Sequence, residues 1–253
     1  MQIYGINPVL EALKARRVVR LWLSTRSDKR IDEIMYQANG QRIPIARVDP
    51  PALDRAAKGG VHQGVIAEIE PTPEYSVADL VLPAEAGSHT EGSVASAGRK
   101  TPLLVVLDGI EDPHNVGAIL RTCDAAGVTG VIRQERHAAA LDGVVGKASA
   151  GALAHARIAT VVNIARAIEE LKEAHVWTIG LAGDAPDRYT DVDWTLPSAI
   201  VLGAEGTGMR RLVRERCDRL VRIPMRGHVD SLNVSVSAGV VLYEVVRQRG
   251  RNS

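Results

Sequence analysis

Short apolar runs alternate with helical patterns throughout the C-terminal part of this 253-residue chain. Strands are predicted at residues 103–107, 128–132, 158–162, 176–181, 199–202 and 220–223, and helices at 116–126, 142–153, 164–174, 209–216 and 232–249. Such alternation requires crossover connections and therefore predicts an α/β domain with a mostly parallel sheet. Because the chain contains no Phe, the core must consist of Ala, Val, Leu and Ile, which suits buried parallel strands.

Residues 1–70 predict a smaller α/β domain. Helices are expected near residues 7–15, 28–39 and 52–58, and strands near 18–24, 43–48 and 65–69. Residues 71–100 contain three prolines followed by Gly, Ser and Ala without periodicity, which is typical of a flexible linker. Within it, residues 75–82 are a candidate for docking. The predicted division is thus 1–70, a linker at 71–100, and a second domain at 101–253.

The net charge of +1 conceals two basic clusters. Residues 1–30 contain seven Lys and Arg against two acids, and residues 209–226 contain seven Arg against two acids. Clusters of this kind suit a phosphate backbone, while a solvated helix face accounts equally well for either one taken alone.

Several classes of protein are disfavoured by composition. Cys123 and Cys217 have no metal-ligand spacing and are expected to be reduced thiols, and the seven His show no HExxH pairing, so no metal site is predicted. The first residues lack the apolar core of a signal peptide, and no run reaches membrane-spanning length. These features predict a cytoplasmic protein without a membrane partner.

Polar residues lie at the predicted carboxyl ends of apolar strands, where parallel sheets bind ligands. Residues 203–208 form a glycine-rich turn that matches neither a Walker A loop nor the dinucleotide fingerprint. The glycines would let the backbone approach a ligand closely. A plain turn explains them but not Glu205, a carboxylate beside a buried strand.

Two further polar groups accompany helix starts. Asn115 is a candidate N-cap for a helix beginning at Val116, with Arg121 about one and a half turns further on. The alternative is that Asn115 only caps and that Arg121 is a surface residue paired with Asp124. Either Ser231 or Asn233 can cap the last helix, which leaves the other side chain for a ligand or substrate.

Residues 108–121, 202–209 and 223–238 resemble, in order and spacing, the three signature motifs of the SPOUT superfamily of RNA methyltransferases, in its TrmH-like branch. Residues 4–13 and 61–65 resemble the N-terminal substrate-binding domain of the bacterial 23S ribosomal RNA guanosine-2′-O-methyltransferases, which is similar to ribosomal protein L30e.

The resemblance implies a parallel sheet with a C-terminal trefoil knot, preceded by a small L30e-like α/β domain. It implies S-adenosylmethionine as cofactor, held by Gly203, Ile223, Met225 and Leu232, with the turn at residues 180–182 as a further candidate. Its functional polar residues fall on Asn115, Arg121, Glu205, Ser231 and Asn233. The resemblance implies that Arg121 acts as the base. Because an arginine normally stays protonated, the alternative is that Arg121 stabilises the developing alkoxide electrostatically and docks the adjacent phosphate.

The implied partners are 23S ribosomal RNA or a large-subunit precursor, and a second copy of the chain in a homodimer; neither DNA nor a membrane is implied. Two alternatives remain open. One is 2′-O-methylation of another RNA, either a transfer RNA or a ribosomal site that confers antibiotic resistance. The other is an RNA-binding protein without catalysis.

Overall fold

A computed structural model describes residues 1–25, 29–57, 59–71, 73–82 and 101–250. Two compact units can be distinguished. The first comprises Met1–Thr72, Glu111–Asp124 and Ala139–Ala156, and the second comprises Pro73–Ile110, Ala125–Ala138 and Arg157–Ser253. The division at residues 1–70, 71–100 and 101–253 stays a prediction.

The first unit contains a four-stranded mixed sheet in the order β1-β4-β2-β3. Its elements from residues 1–71 are β1 (Gln2–Tyr4), α1 (Ile6–Lys14), β2 (Val18–Ser24), α2 (Lys29–Gly40), β3 (Ile45–Val48), α3 (Pro50–Ala56) and β4 (Val65–Ile69). Strands β2 and β3 are parallel, and the other pairs are antiparallel. The predicted elements are confirmed, and β1 is additional.

Hydrogen bonds at the start of α1 connect residues 4–13 with residues 61–65, the two segments that resemble the substrate-binding domain. Gly5 has φ 99°, a conformation that L side chains rarely adopt, and its N–H donates to the carbonyl of Val65 at 3.2 Å. The N–H of Ile6, at the first position of the helix, donates to Gln63 Oε1 at 3.1 Å. A side chain distant in sequence therefore satisfies a helix-terminal N–H that has no partner within the helix.

The first unit also contains α5 (Pro113–Ala125), α6 (Gly143–Ala148) and a 3-10 turn (Ala152–Ala154). The single helix predicted at residues 142–153 is wrong, because Ala150 and Gly151 both have positive φ. A Cβ on Gly151 would lie 2.6 Å from the side chain of Glu11. This turn is fixed to the N-terminal residues, since Arg17 donates to the carbonyl of Ala154 at 3.1 Å.

The second unit contains a seven-stranded sheet in the order β7-β6-β5-β10-β8-β11-β9. Its strands are β5 (Leu103–Asp108), β6 (Gly130–Gln134), β7 (Ile158–Val161), β8 (Trp177–Leu181), β9 (Asp187–Arg188), β10 (Ser198–Gly203) and β11 (Arg219–Arg222). Every pair is parallel, which confirms the predicted sheet. The trefoil knot stays a prediction.

Helices pack against this sheet. They are α4 (Val77–Val81), α7 (Ile164–Glu173), α8 (Arg211–Arg216) and α9 (Val234–Arg249), with a 3-10 turn at Tyr189–Asp191. Residues 75–82 dock as predicted: Tyr75 bridges to Ala159, and Leu80 is fully buried in the core. The remainder of the predicted linker, residues 83–100, lies outside the described residues. Among the helices described, none has the length and apolarity needed to cross a membrane.

Asp218 ties β8, α7 and the entrance of β11 together. Its Oδ2 accepts hydrogen bonds from the backbone N–H and the hydroxyl of Thr178 at 2.9 and 2.7 Å, and Oδ1 lies 2.9 Å from Lys172 Nζ. Partial burial favours the neutral acid, but these hydrogen bonds and the ammonium outweigh it and hold the pKa of Asp218 below its ordinary value of 3.8. The folded protein therefore favours the ionised carboxylate.

Candidate functional site

A cavity of about 550 Å³ opens at the carboxyl ends of the strands in the second unit. Its volume lies within the range of small-molecule sites. Leu181–Gly183, Leu202–Gly206, Gly208, Ile223, Met225, Asp230–Val234 and Ser237 line it. Seven of the nine predicted site residues are therefore brought together here: Gly203, Glu205, Ile223, Met225, Ser231, Leu232 and Asn233.

The glycine-rich loop after β10 closes on itself. Ala204 and Gly208 exchange two backbone hydrogen bonds of 3.1 and 2.9 Å, and Gly206 and Gly208 have positive φ. A Cβ on Gly203 would lie only 2.1 Å from the backbone N of Met209. We expected Gly203 to admit a ligand; the structure shows that it first admits the returning backbone of its own loop.

Asp108 fixes the exit of this loop. The residue ends β5 beside Gly203, is 1% exposed, and accepts hydrogen bonds from the backbone N–H and the Nε of Arg210 at 2.8 and 2.7 Å. Arg210 Nη2 lies 2.5 Å from the same carboxylate. Charge-assisted bonds of this kind are both strong and directional. The sequence contained Asp108 as the first residue of a motif but gave no indication of its partner 102 positions away.

Glu205 and Asn233 hold the start of α9. Asn233 is the N-cap, and its Oδ1 accepts from the N–H groups of Ser235 and Val236 at 2.9 and 3.4 Å. Its Nδ2 donates to Glu205 Oε1 at 2.5 Å, and the same carboxylate oxygen accepts from the N–H of Val234 at 3.4 Å. A carboxylate at a helix N-terminus is favourable, which gives Glu205 a structural reason to occupy a tight turn.

Ser231 is the polar residue that the cap does not use. Its hydroxyl donates to Asp230 Oδ1 at 3.2 Å, and both residues are exposed at the cavity. The expectation that only one of Ser231 and Asn233 caps the helix is confirmed.

The predicted cofactor residues contribute apolar side chains and backbone. Ile223 and Met225 are half-buried, and Leu232 is 37% exposed. Of the turn at residues 180–182, Ala182 lines the cavity, whereas Gly180 faces the core, since a Cβ there would lie 2.8 Å from Leu220.

Asn115 and Arg121 lie on α5, in the first unit. The predicted cap at Asn115 is wrong, because the helix begins at Pro113 and Asp112 Oδ1 accepts the N–H of His114 at 2.9 Å. Asn115 is the third helical residue and is buried. Arg121 is exposed, and no ion pair with Asp124 is found among the described residues.

Neither cysteine has the properties of a reactive thiol. Cys123 and Cys217 are free thiols, and burial raises the pKa of Cys123 above its ordinary value and that of Cys217 to about 12. Buried thiols of this kind are unreactive. No group of three or more potential His, Cys, Asp or Glu ligands occurs in the described ranges.

Comparison with known proteins agrees with the motifs. Residues 102–243 match the SpoU rRNA Methylase family, and residues 2–75 match the family described as RNA 2′-O ribose methyltransferase substrate binding. The chain is 44% identical over 253 residues to the 23S rRNA (guanosine-2′-O-)-methyltransferase RlmB of Haemophilus ducreyi, covering 98% of each protein. It is 42% identical over 251 residues to the RlmB of Pseudomonas aeruginosa, covering 98% of this chain and 96% of that protein.

A solved structure supports the fold. The SpoU methyltransferase AviRb from Streptomyces viridochromogenes, in complex with the cofactor AdoMet, aligns with a TM-score of 0.80 at 24% identity, covering 99% of this chain and 91% of that one. The predicted resemblance to TrmH-like RNA methyltransferases is thus confirmed. The chain belongs to the SpoU rRNA methylase family.

Proposed function

We propose that the protein is an enzyme that transfers the methyl group of S-adenosylmethionine to the 2′-hydroxyl of a guanosine in 23S ribosomal RNA. The observation that carries the proposal is a cavity, in a member of this family, that gathers all four predicted cofactor residues and three of the predicted polar residues. Relatives named for this reaction match the chain over nearly its whole length.

The residues around the cavity fit the cofactor. Leu181, Leu202 and Ile223 supply apolar surface for an adenosine moiety, and the backbone of residues 203–206 supplies donors and acceptors. The carboxylates of Glu205 and Asp230 at its wall suit a positively charged ligand. When bound, S-adenosylmethionine supplies an electrophilic methyl group.

The polar residues have distinct tasks in this proposal. The ribose hydroxyl is a weak nucleophile whose reaction requires stabilisation of the alkoxide that develops as its proton leaves. Guanidinium groups stay protonated in most protein environments, so Arg121 acts by stabilising that charge rather than as a base. Its guanidinium is exposed and has no carboxylate partner among the residues described, which leaves its charge for substrate. Ser231, whose hydroxyl lies at the cavity, orients the ribose.

Residues 1–70 bind RNA and select the target. Arg16 and Arg20 are exposed on this part of the chain, and Arg20 lies over the ring of Trp22 at 5.9 Å. Exposed basic residues position a protein on a phosphate backbone, whereas base contacts determine the site. A ribosomal RNA substrate also implies that the enzyme acts in the cytoplasm.

The protein acts as a homodimer, with α9 in the interface. Val236 and Tyr243, two turns apart on this helix, are 51% and 54% exposed, and Val240 lies between them on the same stripe. An apolar stripe on a helix is typical of a surface that another helix covers. Sedimentation of the wild type and of Val236→Asp with Tyr243→Asp tests this: a wild-type monomer would refute the dimer.

The decisive experiment for the reaction is transfer of labelled methyl to 23S ribosomal RNA, followed by nuclease digestion and mass spectrometry. We expect the label on the ribose of guanosine. Label on a base would refute the proposal. Label only on transfer RNA would favour the alternative target, and cofactor binding without transfer to either RNA would indicate an RNA-binding protein.

A further inference from the structure

The arginine-rich stretch at residues 209–226 separates into two groups by partner. Five of its seven arginines make ion pairs with carboxylates: Arg210 with Asp108, Arg211 with Glu215, Arg214 with Asp184, Arg216 with Glu169, and Arg219 with Asp187. Arg222 and Arg226 make no ion pair with any described carboxylate. The charge of most of this basic cluster is therefore neutralised within the protein, and two positions are exceptions.

These two exceptions line the same cavity. A second cavity of about 320 Å³ is bounded by Arg188, Arg222 and Arg226 together with Gly183, Ile223 and Met225. The last three also line the larger cavity, so the two spaces adjoin through shared walls. Arg188 is also without an ion pair among the residues described. It is the register partner of Arg222 across strands β9 and β11.

The electrostatic balance of the second cavity is positive. Three guanidinium groups face one carboxylate, that of Asp230, which already accepts the hydroxyl of Ser231 at 3.2 Å. Arg222 is held in place because its Nη1 donates to the carbonyls of Ala185 and Pro186, the second at 2.7 Å. Its other N–H groups are left for a ligand, since a guanidinium has five donors.

Guanidinium groups recognise phosphate through paired, directional hydrogen bonds. We propose that Arg188, Arg222 and Arg226 bind a phosphodiester of the substrate RNA beside the cavity for the methyl donor. The proposal rests on the proposed function, because only an RNA substrate brings a phosphodiester to this cavity together with a ribose. It gives the C-terminal basic cluster a specific role: positioning the strand at the point of transfer.

The test compares two double variants of the full-length protein. Arg188→Gln with Arg226→Gln removes two charges from the cavity and leaves Arg222, whose bonds hold the chain. Arg211→Gln with Arg216→Gln is the control, because it removes two charges from the same basic stretch whose carboxylate partners lie within the protein. The measurements are kcat and KM for transcribed 23S ribosomal RNA, RNA affinity at several salt concentrations, and S-adenosylmethionine affinity by calorimetry.

For the cavity variant we expect a KM for RNA raised about tenfold or more, with kcat and cofactor affinity nearly unchanged. The slope of log affinity against log salt should fall by about 0.7 for the lost phosphate contact. The control variant should change the KM for RNA and the salt slope much less. Equal effects of the two double variants would overturn the proposal, because net charge alone would then explain them.

Inorganic phosphate distinguishes a small-anion site from an RNA site. If the cavity variant loses inhibition by inorganic phosphate but keeps its KM for RNA, the cavity binds a free anion and the proposal is overturned. A wild type that transfers no methyl to RNA refutes the proposed function instead, and the salt slopes still decide whether the cavity binds RNA.

Discussion

Removing the carboxylate of Asp108 is expected to destabilise the protein much more than removing a surface carboxylate. Asp108 is 1% exposed and accepts one backbone and one guanidinium hydrogen bond from Arg210, whose Nη2 also lies 2.5 Å from the same carboxylate. A neutral bond contributes roughly 1 kcal/mol and a charged one roughly 1.5–3 kcal/mol. The Arg210 side chain is 51% exposed, so water compensates its guanidinium in part. We therefore expect Asp108→Ala to lower the free energy of unfolding by about 2–4 kcal/mol.

Urea denaturation monitored by circular dichroism measures this loss, with Glu215→Ala as the matched control. Glu215 also pairs with an arginine of the same stretch, but both side chains are exposed, so its removal should cost about 0.5 kcal/mol or less. Asp108→Asn keeps one acceptor and should cost less than Asp108→Ala. Calorimetry should show weaker S-adenosylmethionine binding for Asp108→Ala but not for the control Glu215→Ala. If Asp108→Ala and Glu215→Ala unfold at the same urea concentration, Asp108 does not anchor the loop.

Three further predictions concern the site and its support. Arg121→Ala should abolish methyl transfer with cofactor affinity by calorimetry nearly unchanged; a matching loss of affinity would contradict its assigned role. Gly183→Leu should weaken cofactor binding without loss of thermal stability, because a Cβ there meets nothing within 4 Å, whereas Gly203→Val should lose both. The lowered pKa of Asp218 means that its stabilising contribution is present above pH 3.8 and is lost as pH falls through the folded value. In urea titrations, Asp218→Asn should therefore be less stable than the wild type at neutral pH and approach it below about pH 3.8; a difference that stayed constant with pH would exclude the linkage.

Local sequence signals predicted most elements, and their failures have local causes. β1 is three residues long, too short for a period of two to be recognised. The cap at Asn115 was misplaced although Asp112 and Pro113 contained the better signal, an acceptor followed by proline at the first helical position. The break between α6 and the following 3-10 turn depends on positive φ at Ala150, which no propensity indicates.

Partners distant in the sequence were beyond prediction. The sequence showed an arginine-rich stretch, but which arginines are neutralised depends on carboxylates such as Asp108, Glu169 and Asp184, which the fold brings from other elements. Composition alone could not distinguish one arginine from another, so the whole stretch was interpreted either as a phosphate-binding cluster or as a solvated helix face. The structure divides it into arginines that stabilise the protein and arginines left for a ligand.

Asn233 and Glu205 illustrate why a predicted functional residue is not thereby a catalytic one. The amide of Asn233 caps α9 through its oxygen and bonds Glu205 through its nitrogen, so both of its polar atoms already have protein partners. Loss of activity on replacing either residue would follow from a displaced helix start as readily as from a lost substrate contact. Ser231 caps nothing and bonds only the exposed Asp230 among the residues described. Because its removal leaves the cap intact, the activity of Ser231→Ala reports on contact with substrate or cofactor, and comparison with Asn233→Ala separates that contact from support of the fold.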